Sequence, residues 1–229
     1  MAIRTLFANV LLLLLLGFTH GCVTLPEYGK PRFIAPGIHD PANKEGFTYR
    51  QLERKDFQAR SLPAESRQYS HNIGAQSCVS IRPSKDAKIT IVQSHYDNML
   101  FFAGTLKHVS FEAIFVPDCS WWNPGIPKNK EEYVLQHEQI HFALAELAAR
   151  ELTSKTVDEM KNYLAIGNDL KEVQEEIATK LRDMGEETMR MSLKEHTAFD
   201  KDTSLFYDPR VQERWLRSVN IRLADENNL

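Results

Sequence analysis

The segment Gln136-His137-Glu138-Gln139-Ile140-His141 contains the pattern H-E-x-x-H. On a helix, residues four apart differ by about 40° of rotation, so His137 and His141 would leave one face close enough to share a zinc ion. Zinc lowers the pKa of a water in its open coordination position to about 7, and Glu138, one step round the helix, would reach that water. A carboxylate placed there accepts the proton and delivers it to a leaving amine. The spacing therefore supplies two metal ligands, His137 and His141, and a general base, Glu138.

A catalytic zinc site takes a third protein ligand, and the sequence leaves several open. Glu146 follows His141 by five and lies about 180° round the helix from His137, which disfavours it. If the chain folds back as a helical hairpin about residue 155, Asp169 or Glu172 faces the motif. His196 is the only histidine after the motif, and Asp200, four residues on, would share a helical face with it. Tyr207 is a candidate donor to a developing oxyanion. Trp121 and Trp122 could line a cleft, but paired aromatics before a proline turn read more readily as core anchors. His39, His71, His95 and His108 fall in loop or strand regions without ligand spacing and receive no role.

These residues need elements to position them. Asn129 with Glu132 forms an N-cap signature ahead of a periodic apolar run, predicting a helix over about 130–153 that carries the motif. Thr156 with Glu159 repeats the signal, predicting a second helix from 157. It is interrupted near Gly167-Asn168 and continues through Leu170, Val173, Ile177, Leu181 and Met184, with Gly185 a possible kink. Upstream, strand-like stretches occur at 77–81, 88–92, 99–102 and 110–116, with breaks at 83–86 and at Gly104. The predicted class is α+β: a small, mostly antiparallel sheet followed by a helical part.

At the N-terminus, Arg4 precedes an apolar run from Leu6 to Phe18 that includes six consecutive leucines. Thirteen helical residues span about 20 Å, short of the roughly 30 Å bilayer core, so the run reads as an export signal over 1–21. It ends in Thr19-His20-Gly21-Cys22, which resembles a bacterial lipobox with Thr19 in place of the usual leucine. The resemblance implies lipidation of Cys22, and Val23 after it favours the outer membrane. Residues 22–46 contain prolines at 26, 31, 36 and 41 and read as an extended tether. With Cys22 acylated, Cys78 and Cys119 remain as an even pair in an oxidising compartment, predicting a disulfide.

The stretch from Leu135 to Arg150 resembles the motif helix of a bacterial family described as predicted secreted zinc-dependent proteases. That family carries later a Y-D-x-E-T-x-H-G-like stretch and then Q-x-x-W. Here Phe199-Asp200-Lys201-Asp202-Thr203 and Gln212-Glu213-Arg214-Trp215 fall at matching spacing, and Asp56-Phe57 resembles an early D-F motif. Leu205 stands where the family has its tail histidine. Leucine cannot bind zinc, so the resemblance favours Asp200 as third ligand, with His196 as the alternative.

With 229 residues, 42% of them apolar, the chain has room for one domain of ordinary size, expected over 47–229 with a sheet part to about 120 and a helical part over about 129–222. A net charge of −3 leaves no basic surplus for a phosphate backbone, so nucleic-acid binding is not expected. The expected function is an envelope-anchored zinc metallohydrolase, a peptidase of zincin-like fold at the periplasmic face of the outer membrane. Its partners would be the membrane, through Cys22, and a peptide or protein substrate, with the strand Phe111 to Val116 as the edge that holds it. A silent binding lipoprotein and a cell-wall amidase are the alternatives.

Overall fold

The structure, a computed structural model, describes residues 24–32, 45–204 and 207–225. The export signal, Cys22, most of the proposed tether and Leu205 lie outside the described residues. In chain order the elements are β1 (Phe47–Thr48), β2 (Ala75–Gln76), β3 (Val79–Pro83), β4 (Lys88–Tyr96), β5 (Met99–His108), β6 (Phe111–Phe115), β7 (Trp121–Trp122), α1 (Lys128–Met160), β8 (Ala165–Gly167), α2 (Leu170–Thr203) and α3 (Pro209–Asp225). The strands form three antiparallel sheets, ordered β1-β6-β3, β2-β7 and β4-β5-β8. The class is α+β, with the strands ahead of the long helices except for the short β8.

In β6, Phe111, Ala113 and Phe115 alternate onto the helical side and are buried. This strand is paired on both sides, by β1 and by β3. The expectation that it is a free edge for an extended substrate is therefore wrong. Its buried neighbours Ile114 and Val116 explain why, since a strand apolar on both faces belongs in the middle of a sheet. β3 is an edge of this sheet, closed at Ile81 by α2 (Leu170–Thr203), and Pro83, at its end, has no N–H to leave unpaired.

The hairpin β4-β5 is longer than predicted and closes through Asp97-Asn98, both in the left-handed region at φ 48° and 63°. Gly104 does not break β5 but pairs with Ile91. A Cβ there would lie 2.4 Å from Val173 Cγ1, so its missing side chain lets α2 rest on the sheet.

Helix α1 starts after Pro127, and Asn129 lies within its first turn. No helix starts at Thr156, because α1 runs on through it, and its buried hydroxyl donates to the Leu152 carbonyl at 2.7 Å. The local capping signal loses to a long stretch of good helix formers. The turn comes instead at 161–169. Asp169 caps α2, its Oδ1 accepting the Glu172 N–H at 2.9 Å. Helix α2 passes through Gly185 as a single element. A Cβ at Gly185 would lie 2.7 Å from the Ile81 carbonyl oxygen, so this glycine sets how closely α2 approaches β3. Asp208-Pro209 starts α3, with Asp208 Oδ1 accepting the N–H groups of Arg210 and Val211.

Around α1 the core is nearly continuous. Phe142 and Ala145 pack on Phe115, Phe57 and Trp122; Ala149 and Leu152 on Ile81, Phe111 and Ile177; Ile140, Leu144 and Leu147 on Phe199, Val219 and Leu223. Each of the Leu, Ile, Val and Phe side chains among them contributes about 1.5–3 kcal/mol, so α1 is held on three sides. Trp121 and Trp122 are core residues, as the blander reading expected. Cys78 and Cys119 are disulfide-bonded, with Cα atoms 5.7 Å apart. Residues 24–32 do not form an extended tether, since Leu25 is buried and Tyr28 stacks on Tyr69.

Candidate metal centre

The stripe of α1 left free by the core carries His137 and His141, and it faces α2. Because the hairpin turns at 161–169 rather than near 155, the residues opposite the motif are 196–203, not 169–173. Asp200 Oδ1 lies 3.0 Å from His137 Nε2 and 3.1 Å from His141 Nε2, and the two Nε2 atoms are 3.1 Å apart. A tetrahedral zinc with bonds of about 2.0–2.1 Å would separate its ligand atoms by roughly 3.3 Å. Two imidazoles and one carboxylate, converging within a few tenths of an ångström of that spacing, fit the ion in both donor chemistry and geometry.

The other candidates are drawn elsewhere. Glu146 accepts from Arg150 and from the Ala113 N–H. Asp169 and Glu172 are spent on the start of α2, where Glu172 Oε2 accepts the Asn168 N–H. His196 lies beside the triad without joining it: its Nδ1 meets His141 Nδ1 at 2.9 Å, on the side away from Asp200. Tyr207 is exposed, packs at a tilt against Tyr133 and stands at the cleft margin.

The electrostatics follow from burial and proximity. Burial alone would raise the Asp200 carboxyl, but the two histidines outweigh it and hold the pKa far below the usual carboxylate range. His141 is pulled the other way: burial lowers it, and the charge and hydrogen bond of Asp200, with the charge of Glu138, raise it above its ordinary value. Burial, reinforced by His141, pushes His196 down to about 3, so it is neutral at physiological pH.

Glu138 is buried, and a residue not singled out in the sequence holds it. The N–H and the hydroxyl of Ser77 both donate to Glu138 Oε2, at 3.0 and 2.5 Å. Ser77 immediately precedes Cys78, whose carbonyl accepts the Val116 N–H. Alternation along the strand then turns the Ser77 N–H outward, toward α1. Ser77 carries no motif, and only the pairing register brings it to Glu138.

The tail motifs also acquire roles. Thr203 is buried and lies against His137. Gln212 donates to the Tyr133 carbonyl and to Gln136, and Trp215 donates to Asp202 while packing on Phe199, so α3 braces the back of the site. Asp56 closes a turn of 3-10 helix and receives both Arg50 nitrogens at 2.7–2.8 Å.

The triad and Glu138 line a cleft of about 1000 Å³ between β3 and α2, with residues 25–32 along its far rim. Gln76 Oε1, Ser80 Oγ, Glu186 Oε1 and His196 Nε2 are buried without a hydrogen-bond partner among the described residues, and all four residues belong to its wall. Comparison with models of known protein families, with curated proteins and with solved structures finds no match.

Proposed function

We propose that this protein is a zinc metallohydrolase of the cell envelope, a peptidase, with His137, His141 and Asp200 as ligands and Glu138 as general base. One observation carries the reading: three donor atoms from two helices, mutually 3.0–3.1 Å apart, beside a buried glutamate on the wall of the same cleft. A bound zinc would supply a Lewis acid and a water of pKa about 7 in its open position. Glu138, with Oε2 held by Ser77, keeps Oε1 to take the proton of the attacking water and return it to the departing amine. Peptide substrates are supported by the resemblance of the motif helix. Lipidation at Cys22 would hold the site at the membrane surface.

Elemental analysis of the purified mature chain is the test. The expected result is about one zinc per chain, lost in His137→Ala and in Asp200→Ala, with folding checked by circular dichroism. Glu138→Gln should keep the zinc and lower hydrolysis of a protein and peptidoglycan substrate panel by about 10²–10⁴-fold. A wild type that takes up no zinc when supplied with it would overturn the proposal.

A further inference from the structure

With both Nε2 atoms turned to Asp200, the Nδ1 atoms of His137 and His141 point the other way, and α2 meets each of them. Thr203 Oγ1 lies 3.3 Å from His137 Nδ1, and its hydroxyl hydrogen is committed to the Phe199 carbonyl at 2.8 Å. The oxygen is left to accept from His137 Nδ1–H. His141 Nδ1 lies 2.9 Å from His196 Nδ1. Those two rings are 5° from parallel with centroids 5.1 Å apart, as two imidazoles are when joined edge to edge through their nitrogens.

One hydrogen fits between the two Nδ1 atoms. If His141 gives the Nε2 lone pair to a metal, its Nδ1 carries the proton and donates, so His196 accepts at Nδ1 and bears its own proton on Nε2. That atom is buried, has no partner among the described residues and belongs to a residue of the cleft wall. We infer that His196 is the positioning residue of the metal site: it fixes the tautomer and plane of His141 through Nδ1 and keeps its own proton on the buried Nε2. This rests on the zinc reading above and assigns His196 a place outside the ligand set. Asp200 and His196, one turn apart on α2, then act on opposite nitrogens of the same ring.

The test uses the full mature chain with one equivalent of zinc. Long-range proton–nitrogen NMR of the imidazoles should show His141 protonated at Nδ1 and His196 protonated at Nε2 only. Competition with a fluorescent chelator should show zinc affinity about 10- to 100-fold weaker in His196→Phe, which removes the acceptor. In His196→Asn, whose carbonyl oxygen can stand where Nδ1 stood, affinity should return close to the wild type. Should His196→Phe not fold, the NMR tautomers of the wild type decide alone. A zinc-shifted nitrogen on His196, an Nδ1–H tautomer there, or unchanged affinity in a folded His196→Phe overturns this inference and leaves the zinc reading standing. A wild type that binds no zinc overturns both.

Discussion

At the scale of single residues, the site depends on which atom each side chain turns to which neighbour. Glu138 works as a base only if one oxygen is held and the other is free, and Ser77 provides the holding with two donors to Oε2. Ser77→Ala removes the hydroxyl and keeps the N–H. The expected outcome is turnover lowered by about tenfold, equivalent to roughly 1.4 kcal/mol for one hydrogen bond to a charged group, with zinc content unchanged. Steady-state kinetics beside elemental analysis checks it, and a loss of zinc would mean that Ser77 supports the ligands rather than the base. Leu205, which departs from the resembled family, need not supply a ligand, since Asp200 already brings a third donor atom to the two histidines.

Among the elements, the fit of α2 against β3 decides the shape of the cleft. Gly185→Ala would place a Cβ 2.7 Å from the Ile81 carbonyl, a backbone atom that cannot swing aside. It should cost about 1–3 kcal/mol in denaturant unfolding, against the gain that alanine normally brings to an exposed helix interior. The strap before β2 is held by Asp56. Burial raises its pKa, but the Arg50 guanidinium and the Glu53 N–H outweigh burial and set it below the ordinary 3.8. A carboxylate depressed in the folded state stabilises it above the unfolded pKa and loses that contribution as pH falls through the folded value. Asp56→Asn should therefore cost about 1–2 kcal/mol near neutral pH, a figure kept low because Arg50 is largely in solvent. The gap between variant and wild type should close as pH falls below the ordinary 3.8 and through the lowered folded value, as thermal melts across pH would show.

For the whole molecule, the Cys78–Cys119 bond ties the edge strand beside Glu138 to the turn that leads into β7, across a separation of 41 residues. On the loop-entropy model the cross-link is worth roughly 4 kcal/mol. Replacing both cysteines by alanine should lower the denaturant midpoint accordingly. Because Cys78 adjoins Ser77, turnover should fall more than zinc occupancy does. Equal losses of the two would place the effect in the fold at large.

Spacing and residue type alone carried the candidate chemistry and the order of the elements. H-E-x-x-H on an Ala- and Leu-rich helix names two candidate ligands and a candidate base. Alternating Phe111, Ala113 and Phe115 name a strand, and two cysteines left after Cys22 name their own pairing. These are local signals, written in spacing and residue type. Only tertiary structure decided the third donor: the hairpin turns at 161–169, some ten residues later than the Thr156 signal implied. This slides α2 until Asp200, rather than Asp169 or Glu172, stands opposite the histidines. It also decided that β6 is central and β3 the edge, and that Ser77, Thr203 and His196 stand against Glu138, His137 and His141. Sheet order and helix register are set by the total burial of Phe142, Phe199, Ile177 and their neighbours, a sum over distant residues that no local window contains.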